Sequence, residues 1–194
     1  IKQKGGSRKD YRLLLDKIAY HESKSDSTAT QKEGGPGRGK YQFEVGDYKG
    51  ANTAVNRTYV TLKKNNLKIP KWLEDIYPNK STDASKLKGY QQDMLFLGNM
   101  MEHPKADFKK VMDGGQSVKD FWADHHWAGA KDDREMRMKA FDSSMESFNK
   151  KPIKQTEQPI QIPVNNTLMD YIAAKPIQEP QSKPQYNTNN EFKQ

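Results

Sequence analysis

Apolar side chains recur at spacings of three and four residues between positions 10 and 149, and no run alternates strictly between apolar and polar. Such spacings place side chains on one face of an α-helix, whereas a half-buried strand requires alternation. The pattern therefore predicts a mainly α fold with little or no β-structure. Pro36 and six glycines interrupt the pattern between residues 31 and 50 and exclude a regular helix there.

Five helices follow from this spacing. The first is expected to start at Asp10, a residue type that caps helices by accepting a backbone N–H. Three more are predicted at about 50–66, 83–103 and 116–128. The last helix carries one apolar stripe, formed by Met138, Phe141, Met145 and Phe148. Such a stripe indicates that this face of the helix packs on the core.

Length and composition predict one domain with a tail. The chain has 194 residues, of which only 33% are hydrophobic, so its core must be small and concentrated in a few stretches. From residue 151 onward the sequence is rich in Pro, Gln and Asn, which is typical of an extended linker or tail. We therefore divide the chain into a basic N-terminal arm (1–9), a helical domain (10–149) and a tail (150–194). No apolar run reaches the roughly 20 residues of a membrane-spanning helix.

Charge favours a polyanionic partner. The net charge is +8, and residues 151–194 hold five lysines against four acidic residues, so +7 belongs to the first 150 residues. Nucleic acid, a membrane surface or an anionic cell wall would each suit this charge. The chain has no cysteine, which excludes disulfides and thiolate metal sites.

Glu22 is the first candidate for chemistry. It follows Leu15 by seven residues and Ile18 by four, so it shares the apolar face of the first helix. Apolar neighbours disfavour a charged carboxylate and favour the protonated form that a general acid needs. A solvated or capping glutamate at a helix end is the alternative interpretation.

A glycine-rich segment, GGPGRGKYQFE, extends from Gly34 to Glu44. Closely spaced glycines let a backbone turn tightly or pass near a bound chain. Gln42 lies between two aromatic residues, a combination that suits sugars because hydroxyls bind the amide and the apolar sugar face packs on a ring. A phosphate-binding loop is not supported, because Lys40 is followed by Tyr41 rather than by Ser or Thr.

These two motifs resemble the lytic transglycosylase branch of the lysozyme superfamily, and most closely the transglycosylase-like domains of bacteriophage virion proteins. The resemblance lies in the Glu-Ser pair at 22–23 at a helix end and in the Gly-Lys-Tyr-Gln-Phe run at 39–43. It implies a lysozyme-like α-helical domain with a glycine-rich cleft loop, with Glu22 as catalytic acid and base and Gln42 in the sugar cleft. The further substrate contacts that we expect are Ser23, Gly39, Tyr41, Phe43 and Glu44.

A third family motif, Ala-Tyr-Asn-x-Gly at a helix end, has only a weak counterpart. His125-His126-Trp127-Ala128-Gly129 would place His126 and Trp127 at the positions of the Tyr and the Asn. We expect both residues to border the cleft, with a packed Trp and a solvated His as the alternative. The paired histidines do not suggest a metal site, because neighbours on a helix diverge by about 100° and no further ligand stands at suitable spacing. We expect neither metal nor cofactor.

The resemblance implies cleavage of the β-1,4 glycosidic bond of peptidoglycan, within a virion and at the periplasmic wall of a bacterial host, to open the wall for genome ejection. The expected partners are glycan strands, other virion proteins through residues 151–194, and DNA without sequence preference. A transglycosylase needs one carboxyl group, whereas a hydrolytic muramidase uses two. Glu44 would be the second carboxylate of a muramidase. The third alternative is an inactive virion structural or DNA-binding protein with a lysozyme-like fold.

Overall fold

A computed structural model of the protein describes residues 8–45, 50–77, 82–101, 110–111, 115–126 and 134–150. The prediction of a mainly α fold is confirmed over these ranges. The helices are α1 (Arg8–Ser23), α2 (Gly50–Lys64), α3 (Lys71–Ile76), α4 (Gly89–Met101), α5 (Val118–His126) and α6 (Arg134–Lys150). Within the same ranges, no helix is both long and apolar enough to cross a bilayer.

The predicted helix α1 extends further toward the N-terminus than its sequence suggested. It begins at Arg8, so Asp10 lies inside the first turn and the expectation that it caps the helix is wrong. One stripe of α1 is buried, and it contains Tyr11, Leu14, Leu15, Ile18 and Ala19. Leu13, on the opposite face, is 46% exposed. The spacing of apolar residues by three and four positions therefore identifies the buried face of the helix correctly.

The glycine-rich segment forms a short hairpin. Strand β1 (Gly37–Arg38) pairs antiparallel with β2 (Phe43–Glu44), and Gly39–Gln42 connect them. Gly39 has a φ of +73°, and a Cβ at this position would collide with the Gln92 side chain. Only glycine suits both conditions, so the turn depends on this residue.

Helices α2 and α4 form the most extensive helix pair, and α1 packs against α5 and α6. One hydrophobic cluster joins these elements. Its largest fully buried apolar side chains come from the hairpin and all six named helices, and they are Tyr41, Phe121, Phe141, Leu14, Leu15, Ile18, Leu62, Leu73, Leu95 and Leu97. The last turn of α1 and the hairpin thereby lie on the same core.

Candidate active site

The end of α1 places Glu22 in the wall of an open cleft. Lys24 and Ser25 adopt positive φ values of 58° and 69°, which end the helix. Their N–H groups donate to the carbonyls of Tyr20 and Ala19, so the helix terminus is capped by the chain itself. Glu22 is half-buried and lies in the last turn. Its carboxyl group thus stands on a rigid helical support at the edge of the core.

Trp122 of α5 holds the Glu22 carboxyl group in place. Its indole Nε1–H donates a hydrogen bond to Glu22 Oε1 at 2.5 Å. The indole ring is 2% exposed, so this donor acts from a largely water-excluded position. A hydrogen bond from a largely buried donor to a carboxyl oxygen fixes the orientation of that group.

His21 and Phe141 pack around the Trp122 indole. The ring centroids of His21 and Trp122 are 4.3 Å apart in an edge-to-face arrangement, and those of Trp122 and Phe141 are 4.9 Å apart. His21 Nδ1 also lies 3.0 Å from Ser144 Oγ of α6. Contacts from α1 and α6 therefore lock the indole in the orientation in which it reaches Glu22.

Ser23 connects α1 to the hairpin. Its single hydroxyl proton is shared between two carbonyl oxygens, that of Lys40 at 3.0 Å and that of Ala19 at 3.3 Å. Ser23 also lines the cleft. Its observed hydrogen bonds set the distance between the Glu22 turn and the loop that carries Gln42.

The structure corrects the expectation for Tyr41. Its ring is 0% exposed, stacks on Phe96 at a centroid distance of 4.4 Å, and does not line the cleft. Phe43 is 5% exposed and lines the cleft, while its ring contacts Tyr41. The sequence predicts that both rings contact a sugar, but the structure places both in the hydrophobic core. A chain with so few apolar residues needs its aromatic rings there.

A buried charge network fixes the Tyr41 and Lys40 positions from α4. Tyr41 donates its hydroxyl to Asp93 Oδ1 at 2.5 Å, and Lys40 Nζ lies 2.6 Å from the same oxygen. Arg12 of α1 reaches Asp93 Oδ2 at 3.3 Å. Burial raises the pKa of the Tyr41 phenol well above its ordinary value, and the Asp93 carboxylate raises it further. Tyr41 therefore remains a neutral hydrogen-bond donor in the folded protein.

Gln92, which is 0% exposed, ties three segments together. Its Oε1 accepts from the Lys40 N–H at 2.8 Å, and its Nε2 donates to the carbonyls of Ser27 and Leu87 at 2.8 Å each. The carboxamide thus provides partners for three backbone groups, of which the Lys40 N–H is buried. Neither Gln92 nor Asp93 was singled out in the sequence, because their roles depend on contacts with residues about 50 positions away.

Gln42 and Glu44 both line the cleft. Gln42 has a φ of +49°, a conformation that is uncommon outside glycine, and its Nε2 donates to the Gly39 carbonyl at 2.8 Å. Backbone strain of this kind concentrates at functional positions. Glu44 is exposed. Gly39 itself is buried and shapes the turn rather than lining the cleft.

The cleft has a volume of about 1040 Å³ and is lined by residues of α1, the hairpin, α4, α5 and α6. Besides Glu22 and Glu44 it presents the cations Lys24, Lys32 and Arg137 and the carboxamides Gln31, Gln42 and Asn99. Sequence patterns offered no signal for Trp122, Gln31, Asn99 or Arg137, which belong to no recognised motif.

Two expected contacts lie outside what is described. His126 is the last residue of α5, but its side chain is outside the described residues, and so is the whole of Trp127. Among the side chains that are described, no three His, Asp or Glu residues come together in a way that could hold a metal ion.

Comparisons with known proteins add no relative to this picture. No protein-family model, no curated protein and no solved structure matches the chain.

Proposed function

We propose that this protein cleaves the β-1,4 glycosidic bond of bacterial peptidoglycan, with Glu22 as general acid and base. The observation that carries the proposal is the Glu22 carboxyl group, fixed by the Trp122 indole in the wall of a cleft that also contains Gln42. A positioned acid in a cleft with hydrogen-bonding amides suits a hydroxyl-rich polymer. The resemblance of the Glu-Ser and Gly-Lys-Tyr-Gln-Phe motifs to lytic transglycosylases agrees with this geometry.

The reaction requires Glu22 first to donate a proton and then to take one back. Glu22 gives its proton to the glycosidic oxygen as the bond between that oxygen and the anomeric carbon breaks. The resulting carboxylate then takes the proton of a hydroxyl group on the same sugar, whose oxygen bonds to the anomeric carbon. The product is an anhydro sugar end, and Glu22 returns to its acid form. Water and a second carboxylate are not required, in contrast to a hydrolase.

A hydrolytic muramidase is the second candidate, and the position of Glu44 favours it. Glu44 is exposed and lines the same cleft as Glu22, so it could activate a water molecule. The two mechanisms leave different products. Mass spectrometry of digested peptidoglycan separates anhydro ends from free reducing ends.

The biological setting is proposed from the sequence. The resemblance supports a virion-associated, bacteriolytic enzyme that acts on the periplasmic wall during genome ejection. The Pro, Gln and Asn content of residues 151–194 suits attachment to other virion proteins. The charge of +8 suits an anionic wall and also permits non-specific contact with DNA.

The proposal is tested by Glu22→Gln. The amide keeps the shape of the side chain and can still accept from Trp122, but it cannot deliver a proton. We expect release of muropeptides to fall by about 100-fold to 10,000-fold, which is the usual contribution of positioned proton transfer. Circular dichroism and binding to insoluble peptidoglycan should be unchanged.

Glu74→Gln is the matched control, because Glu74 is an exposed glutamate of α3 and does not line the cleft. It makes the same change in charge and should cleave at the wild-type rate. A folded Glu22→Gln protein that releases muropeptides as fast as the wild type would remove Glu22 from the mechanism and with it the proposed function.

A further inference from the structure

Two carboxamides in the cleft, those of Gln31 and Gln42, are each held at one end by the backbone. Gln31 Oε1 accepts from the Gly37 N–H at 3.0 Å, and Gln42 Nε2 donates to the Gly39 carbonyl at 2.8 Å. A backbone N–H can only donate and a carbonyl can only accept, so these partners determine which end of each amide is nitrogen and which is oxygen.

The opposite ends of the two amides are available to a ligand. Within the described part of the chain, Gln31 Nε2 and Gln42 Oε1 make no hydrogen bond to the protein, and both residues line the cleft. Gln31 therefore presents N–H donors, and Gln42 presents a carbonyl acceptor. Each is pre-oriented by its tether, which lowers the entropy lost on binding.

Gly37 allows the two amides to stand side by side. A Cβ built on Gly37 would lie 2.7 Å from Gln42 Oε1 and 3.2 Å from Gln31 Oε1. The two side chains thus flank one point of β1, which only a residue without a side chain leaves open. The Gln31 nitrogen is bonded to the same carbon as its tethered oxygen, so a donor from Gln31 and the acceptor of Gln42 belong to the same part of the cleft wall, around Gly37.

An adjacent donor and acceptor match a secondary amide, which offers one carbonyl oxygen and one N–H. We propose that Gln31 is a specificity residue that, paired with Gln42, recognises a secondary amide of the ligand. The inference rests on the proposed function for its substrate, since a peptidoglycan strand carries such amides in the N-acyl groups of its sugars and in its stem peptides. Gln31 donates to the carbonyl and Gln42 accepts from the N–H.

Gln31→Glu tests this pairing with little disturbance. The Glu side chain keeps an oxygen for the Gly37 N–H and replaces only the cleft-facing donor with an acceptor. Asn56→Asp is the matched control, because Asn56 is exposed on α2, lies outside the cleft and changes the net charge equally. Thermal unfolding should show both variants folded.

Binding is measured by calorimetry in the Glu22→Gln background, so that no probe is cleaved. The probes are an N-acetylglucosamine hexamer, a glucose hexamer with the same β-1,4 linkage, and an N-acetylated stem tetrapeptide. We expect Gln31→Glu to weaken binding of the N-acetylglucosamine hexamer about 10-fold, the usual effect of losing one hydrogen bond and leaving its partner unpaired. Gln31→Glu should not change binding of the glucose hexamer. Asn56→Asp should not change binding of any of the three probes.

The outcomes separate the two sources of the amide and the two proposals. A loss confined to the stem tetrapeptide would assign the same amide recognition to the peptide. Equal weakening of all three probes, no weakening, or no wild-type binding of either amide-bearing probe would overturn the inference. The binding constants are measured independently of cleavage, so the two proposals can fail separately. An amide preference without any cleavage by the native protein would contradict only the proposed function. Cleavage without a Gln31-dependent preference would contradict only this inference.

Discussion

At the scale of single residues, the contact between Glu22 and Trp122 joins positions 100 residues apart. The indole is buried and clamped by His21 and Phe141, so its N–H is presented to the carboxyl group at a fixed angle. A general acid is effective only within hydrogen-bond reach of the proton acceptor, and a rotating carboxyl group spends little time there. Trp122 is thus a positioning residue for Glu22.

Trp122→Phe should lower kcat for peptidoglycan cleavage by about 10-fold and leave KM nearly unchanged, because the ring still packs but the hydrogen bond to the carboxyl group is lost. Phe141→Leu is the control, since it loosens the same cluster without removing the indole donor. It should lower the melting temperature with a smaller effect on kcat. Equal losses of kcat in the two variants would mean that Trp122 matters only for packing.

Tyr41 illustrates how a residue expected in the cleft instead supports it from beneath. Its raised pKa means that the folded protein keeps the phenol protonated at a pH where the unfolded chain loses the proton. The unfolded state then binds fewer protons than the folded state, so stability falls as pH rises. The contribution of Tyr41 is fully present below about pH 10, the ordinary tyrosine pKa, and is lost progressively above it.

Tyr41→Phe should reduce the free energy of unfolding by about 2 kcal/mol at pH 7, because the hydrogen bond to the Asp93 carboxylate is lost. The difference from the wild type should shrink above pH 10, by up to about 1.4 kcal/mol per pH unit. Urea unfolding at pH 7, 9 and 10.5 measures it, and the other tyrosines cancel in the comparison. A difference that stays constant with pH would contradict the assigned role of the phenol.

At the scale of elements, Gly98 sets the approach of α4 to α2. A Cβ on Gly98 would lie 2.7 Å from the Cα of Thr58, and it would collide with the Thr58 side chain as well. Backbone atoms cannot rotate away, so a larger residue would push the two helices apart. This contact also affects the cleft, because α4 carries Gln92 and Asp93, which hold the hairpin.

Gly98→Ala should destabilise the protein by about 1–3 kcal/mol through overpacking, despite the gain of up to about 1 kcal/mol in helix propensity. Gly89→Ala is its control in the same helix. A Cβ there would meet its nearest side-chain atoms at 3.7 and 3.9 Å, which are ordinary contacts, so the melting temperature should stay the same or rise. Thermal unfolding of both variants measures these effects. A Gly98→Ala protein that is more stable than the wild type would contradict the close approach of α4 to α2.

At the scale of the whole molecule, the charge of +8 should couple cleavage to ionic strength. Salt shortens the range of attraction between charges, to about 10 Å at 0.1 M. We therefore expect turbidity clearing of bacterial walls to slow several-fold between 50 and 500 mM NaCl. Cleavage of an uncharged N-acetylglucosamine oligomer should be nearly independent of salt. If walls are cleared at the same rate at every NaCl concentration, the positive charge does not contribute to binding of the wall.

The helices were largely predictable from the sequence, because burial of one helical face imposes a local spacing. The ends of the helices were less predictable. The helix expected at 83–103 is a short 3₁₀ turn at Ala84–Lys86 followed by α4, since Asp83 caps the Ser85 N–H and Leu87 is extended. Helix α3 was not predicted, because six residues after Pro70 are too few to show a period.

By itself, the sequence determined the mainly α class, the interruption of the helical pattern by the glycine-rich segment, and the presence of Glu22 at the end of a helix. These are consequences of spacing and local backbone preference, which act between residues a few positions apart. Only the tertiary structure decided that Tyr41 is core, that Trp122 donates to Glu22, and that the Gln31 and Gln42 side chains both lie beside Gly37. Burial and hydrogen bonding across long stretches of chain depend on how the elements pack, and no short-range pattern encodes that.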